Sequence, residues 1–223
     1  MTSFTAGSSW ENLATNSPLN PTRGNSNYIT PQRLTLRLGF DRDFFGDNTT
    51  RITLMAYRKE GQPASLTMFG NGLEGDPNGR HLLYVPTGAS DPAVVFGPNF
   101  AQQEFFDYAA ANGVAPGNFA ERNSVNATWS TRLDLRIDQE FPLFVENLKG
   151  RAFVKIYNLG NMIDDDWGRQ YDAPFSSLTV VQGDYDATND VYNYSEFEAG
   201  EVSDLQTFSS LWEVRAGIEI NFR

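Results

Sequence analysis

The stretch Trp129-Ser130-Thr131-Arg132-Leu133-Asp134-Leu135-Arg136-Ile137-Asp138-Gln139-Glu140-Phe141-Pro142 alternates apolar and polar residues along almost its whole length. Trp129, Thr131, Leu133, Leu135, Ile137 and Phe141 fall on one side, with Gln139 as the single polar lapse. Ser130, Arg132, Asp134, Arg136, Asp138 and Glu140 fall on the other. Successive side chains of a strand point to opposite faces, so a period of two predicts a strand with one apolar and one charged face. The pattern recurs near the end, where Trp212, Val214, Ala216, Ile218, Ile220 and Phe222 alternate with Glu213, Arg215, Gly217, Glu219 and Asn221. It recurs again where Leu34, Leu36, Leu38 and Phe40 alternate with Arg33, Thr35, Arg37 and Gly39. Arg51–Tyr57, with Ile52, Leu54 and Ala56 on one face, and Arg151–Asn158, with Ala152, Val154 and Ile156, supply two more strands. Helix candidates are few, and the chain is read as all-β.

The connections between these five strands differ sharply in length. After the first and third they are short, about Asp43–Asn48 and Pro142–Lys149; after the second and fourth they run to about fifty residues, against a usual 4–6. Residues 1–30 are read as irregular, and 70–124 and 159–206 as the long loops. Within them Leu82–Val85 is a short pairing segment, Gln102–Ala111 a helix candidate, and Ser177–Val181 with Val191–Phe197 a hairpin candidate. Pro63 has no N–H for a ladder, so an edge, bulge or break is expected there. Antiparallel order collects both long connections at one end of the sheet. Transmembrane β-barrels have that asymmetry, with short periplasmic turns and longer extracellular loops. The expected architecture is a curled antiparallel meander forming about five strands of such a barrel; a soluble β-sandwich or lectin-like ligand-binding module is the alternative. Five strands fall short of the smallest barrels, with about 8. Met1 opens neither a basic nor an apolar run, so the expectation is a part of a longer chain.

Composition narrows the chemistry. Among 223 residues there is no Cys and a single His, His81. Thiol nucleophiles, disulfides and multi-histidine metal centres are therefore outside its repertoire. The formal net charge of -11 disfavours phosphate backbones, so no nucleic-acid partner is expected. Nearly all of that charge lies in Leu159–Gln206, where Arg169 is the only basic residue. No run approaches the ~20 apolar residues of a membrane-spanning helix.

Several stretches together resemble the C-terminal end of a TonB-dependent outer-membrane receptor, most closely the Oar-like group. They are RKEGQPASLTMF with LLYVPTG (Arg58 to Gly88), DPAVVF through FFDYAAANG (Asp91 to Gly113), WSTRLDLRIDQEFP, KIYNLGNMIDDDWG (Lys155 to Gly168) and the closing WEVRAGIEINFR. The resemblance implies a plugged barrel of about 22 strands in the outer membrane of a Gram-negative bacterium, importing a scarce substrate with energy delivered through TonB. Its partners would be outer-membrane lipid and lipopolysaccharide, the remaining strands and plug of the same receptor, and TonB through an N-terminal part. Such chains usually end on an aromatic residue; here Phe222 is penultimate and Arg223 is last.

The candidate residues follow from the two faces. Arg33, Arg37, Arg132, Asp134, Arg136, Asp138, Glu213, Arg215 and Glu219 are expected to face the lumen. Leu34, Leu36, Leu38, Trp129, Leu133, Leu135, Ile137, Trp212, Val214, Ile218, Ile220 and Phe222 are expected to face lipid. Asp164, Asp165 and Asp166 are weak candidates for Ca²⁺, a hard ion that takes several oxygens; Glu74, Asp76 and Asn78 are a second weak set. The competing reading of both sets is a solvated turn. His81 is expected to hydrogen-bond within a loop. No catalytic residues or other cofactor are assigned, because nothing fixes two carboxylates at a working separation.

Overall fold

The computed structural model describes residues 14–16, 23–69, 81–144, 148–173 and 177–220. Its elements, in chain order, are β1 (Arg33–Phe45), β2 (Asn48–Lys59), β3 (Pro63–Met68), β4 (His81–Leu82), β5 (Tyr84–Val85), β6 (Val94–Phe96), α1 (Gln102–Ala111), β7 (Asn118–Phe119), β8 (Val125–Asn126), β9 (Ser130–Pro142), β10 (Lys149–Tyr157), α2 (Leu159–Ile163), β11 (Tyr171–Asp172), β12 (Ser177–Asp186), β13 (Val191–Phe197), β14 (Asp204–Leu205), α3 (Thr207–Ser210) and β15 (Glu213–Ile220). The chain divides into two compact units. One comprises Pro31–Glu60, Trp129–Tyr171 and Leu205–Arg223; the other comprises Met1–Thr30, Gly61–Thr128 and Asp172–Asp204.

The first unit is a five-stranded antiparallel meander, β1-β2-β9-β10-β15, whose neighbours follow chain order. Alternation in the sequence becomes alternation across the sheet because the register aligns like with like. Leu38, Leu54, Leu135, Ile156 and Val214 form one apolar row across all five strands, and Phe40, Ile52, Ile137, Val154 and Ala216 form the next. The polar lapse Gln139 is opposite Thr50, whose hydroxyl donates to its side-chain carbonyl. Strands β1 and β2 reach 13 and 12 residues, longer than the alternation alone predicts, and join through Gly46, whose φ of 61° suits the residue without a Cβ. On the charged face a Cβ at Gly217 would stand 2.8 Å from the Phe153 ring, so the glycine lets that ring lie across its neighbour strand. Phe222, the last of the predicted apolar series, lies outside the described residues.

The second unit is where the structure departs from the expected loops. Segments assigned to 70–124 and 159–206 fold with β3 into a sheet ordered β4-β3-β12-β13-β6, with β8 also paired to β3. The break at Pro63 is as expected, with the proline opening β3, but the strand beyond it changes sheet and pairs parallel with β12. Every residue of β3 is buried. PASLTM alternates, but a strand covered on both faces buries its polar side as well: Ser65 bonds Asn123 and Thr67 meets Thr179. The hairpin of β12 and β13 is present, extended to Asp186 at the turn. Helix α1 forms over Gln102–Ala111 and buries Phe105 and Ala109, one turn apart. Leu66, Met68, Phe69, Val180, Val181 and Tyr194 complete a core rich in aromatic rings.

His81 is not in a loop. It opens β4, is 4% exposed, packs edge-on to Phe119 at 5.7 Å between ring centroids, and lies 3.4 Å from the Tyr192 hydroxyl. The Tyr194 hydroxyl donates to the Tyr84 carbonyl at 2.7 Å. Burial raises the Tyr192 phenol to about 12 and the Tyr194 phenol well above its ordinary value. A raised folded-state value means that the neutral phenols support folding fully below pH ~10, and that this support is lost as pH rises from there toward 12. Alkaline titration should therefore unfold this unit cooperatively, with tyrosinate absorbance and loss of strand circular dichroism rising together; tyrosinate appearing near pH ~10 without unfolding would show that these rings are not buried.

Candidate functional site

The charged face of the meander holds all of the residues expected to line a lumen. Alternation places them there, and cross-strand register then decides which of them meet. Arg136 forks onto Asp138 at 2.6–3.0 Å and reaches Glu219 on β15 at 3.1 Å. Asp138 is only 4% exposed, and this fork supplies the charge that its burial demands. Arg132 bonds Asp134 at 2.9 Å, and Asp134 also accepts the Asn158 N–H at 2.9 Å, tying β9 to the end of β10. Arg215 pairs with Glu213 at 2.6 Å. Arg33 lies over the Tyr57 ring at 5.2 Å, and Arg37 shares a cross-strand row with Met55 and Asp134.

The face contains more than was selected from sequence. Arg51 pairs with Asp41 at 2.9 Å, Arg151 lies 3.6 Å from Glu140 and 3.9 Å from Glu219, and Lys149 lies 3.4 Å from Glu140. Phe153, Lys155 and Tyr157 of β10 face the same way. Arg136 stacks over Phe153 at 4.6 Å, while Lys155, Arg215 and Arg132 surround Tyr157 at 3.9, 5.0 and 5.5 Å. These three were legible as one face of a strand; what joins them to β9 and β15 is register, which one strand's sequence does not carry.

The opposite face is apolar and open. Leu34, Leu36, Leu38, Ile137, Trp212, Val214, Ile218 and Ile220 are 40–70% exposed, while Trp129, Leu133 and Leu135 on the same face are half-buried. Contiguous exposed apolar surface of this kind marks a contact with membrane, protein or ligand. Aromatic side chains cluster toward both ends of the strands. Trp129, Trp212, Trp167 and Phe208 stand at the end carrying the long connections, the last three of them 48–92% exposed. Phe44, Phe45 and Phe144 stand toward the other end and are 54–111% exposed. At the long-connection end Trp129, Ala56, Leu133, Trp167, Arg169 and Tyr171 line an open cavity of about 470 Å³.

The segment after β10 is anchored by polar contacts. Asn158, buried and in a left-handed conformation, donates to the carbonyls of Gly168 (2.9 Å) and Ser210. Gln170 accepts from the Tyr57 hydroxyl at 3.1 Å, and the Tyr171 N–H donates to Ser130. These bonds explain the aspartate run. Asp164 accepts the Asp166 N–H at 2.9 Å, and Asp166 pairs with Arg169 at 2.5 Å, so Asp164, Asp165 and Asp166 form a turn rather than converging on one point. Among the described residues no three His, Cys, Asp or Glu side chains gather where they could hold a metal ion. Glu74, Asp76 and Asn78 lie outside the described residues.

In the second unit Asp91 accepts from the Thr87 and Ala93 N–H groups at 2.6 and 2.9 Å and from the Thr87 and Tyr84 hydroxyls. The two backbone donors hold its carboxyl below the usual range. All four contacts close a turn. Comparison with protein-family models, curated proteins and solved structures gives no match to the chain.

Proposed function

We propose that this chain is the C-terminal barrel portion of an outer-membrane TonB-dependent receptor of the Oar-like kind, taking up a scarce solute. One observation carries the reading: a meander in chain order with one face apolar and exposed and the other charged and internally paired. A β-sandwich would need that apolar face against a second sheet, yet Leu34, Leu36, Leu38 and Ile218 are half or more exposed. Lipid would cover it, and the aromatic side chains toward both ends of the strands suit the two interfaces of a bilayer. Both outer strands, β1 and β15, have one neighbour in this sheet. Unpaired backbone in hydrocarbon costs several kcal/mol per group, so further strands of the same receptor would complete the wall. Lipid and lipopolysaccharide would be its outer partners, a plug its inner one, and TonB would act through an N-terminal part.

The test is heat-modifiability of the native full-length protein. A closed barrel stays folded in SDS until boiled, so the protein should sediment with outer membranes and change its electrophoretic mobility on heating. Recovery in the soluble fraction with one mobility, boiled or not, would contradict the proposal.

A further inference from the structure

Register brings Arg136, Lys155 and Arg215 directly opposite one another on the neighbouring strands β9, β10 and β15. Adjacent strands are about 4.8 Å apart, so three cationic side chains leave the wall within roughly 10 Å. Like charges directly opposite one another destabilise an antiparallel pair. Two of the three are offset, Arg136 by Asp138 and Glu219, and Arg215 by Glu213. The central one is not: among the described residues no carboxylate lies within 4.0 Å of the Lys155 ammonium. Lys155 instead lies over the Tyr157 ring at 3.9 Å, a ring already faced by Arg215 and Arg132. A ring face attracts a cation but adds no counter-charge. Three like charges thus stand in one cross-strand row, in a chain whose net charge is -11. Local rules are broken without compensation mainly where function requires it.

We infer that Lys155, flanked by Arg215 and Arg132 around Tyr157, is a binding site for a small anionic solute bearing carboxylate or phosphate. Lysine supplies a point charge, Arg132 and Arg215 supply the guanidinium N–H groups beyond those bonded to Asp134 and Glu213, and Tyr157 supplies an apolar floor. As a wall contacted by imported substrate the site rests on the receptor reading; as an anion site it does not.

The full-length protein, folded in dodecyl maltoside micelles at low salt, is titrated calorimetrically with citrate and with glucose. Citrate should bind and glucose should not. Lys155→Gln should weaken citrate by about fivefold, Arg215→Gln should weaken it as a second, edge-strand variant, and Lys155→Arg should retain it. Arg51→Gln, on the same face but outside the row, should leave it within about twofold. Lys155→Gln should also raise the urea midpoint or leave it unchanged, because a like-charge contact is removed; a lysine kept only to pack on Tyr157 would lower it. The inference is overturned if folded chain binds no citrate, if glucose binds equally, or if Arg51→Gln weakens citrate as much as Lys155→Gln. Liposome insertion of the same preparation separates the two claims. A chain that inserts but ignores citrate overturns the anion site alone, and one that binds citrate but does not insert overturns the receptor reading alone.

Discussion

Replacing Phe105 by Ala should cost the aromatic unit about 3–5 kcal/mol. Phe105 is fully buried on α1 and packs against Phe100, Phe106, Phe197 and Tyr194 at centroid distances of 5.3–6.0 Å. Truncation removes the ring's transfer free energy and leaves a cavity that neighbouring rings fill only in part. The adjacent Phe106, half-buried at the edge of the same core, should cost clearly less when changed to Ala. Urea unfolding in detergent, followed by the near-ultraviolet signal of the packed rings, measures both. Equal midpoints for Phe105→Ala and the parent chain would show that α1 does not close this core.

The second large effect separates two adjacent residues. In the full-length protein, the proposed function predicts that Ile218→Arg impairs folding into bilayers by roughly 2–4 kcal/mol if the position lies near midplane, and by less near an interface. Ile218 is 67% exposed on the apolar face, and Glu219 on the other face approaches Arg136 at 3.1 Å and Arg151 at 3.9 Å. Glu219→Gln keeps the shape and should cost much less, chiefly the loss of those two attractions. Folding titrations into liposomes against urea give both values. A small Ile218→Arg effect with a large Glu219→Gln effect would reverse the assignment of faces.

What could be read in advance was whatever rests on a period of two. Trp129–Phe141 and Trp212–Ile220 declare their faces residue by residue, because one side of each strand must be apolar and the other need not be. The second unit was hidden because its pairing is long-range. PASLTM is buried on both faces, and its partner Ser177–Val181 lies about 110 residues away, as in the Thr67–Thr179 contact. Their alternation does not say that both faces are covered, and no local signal says that such distant segments pair. Lys155 shows the same limit within the site. Its side of β10 was legible, but its position between Arg136 and Arg215 exists only once three strands are in register. The aspartate triplet is legible as a run of carboxylates, but that Asp164 closes a turn and Asp166 meets Arg169 is a matter of local geometry that the run does not carry.

The central claim, that the exposed apolar face of the meander meets lipid, is tested most directly by single-cysteine scanning of Val214 to Glu219. The chain has no native Cys, so each position can carry an environment-sensitive fluorophore without background. With the full-length protein in liposomes, the expected emission alternates strictly: apolar and quenched by lipid-borne quenchers at 214, 216 and 218, polar and quenched from water at 215, 217 and 219. Equal water exposure at all six positions, or alternation of the opposite phase, would contradict it.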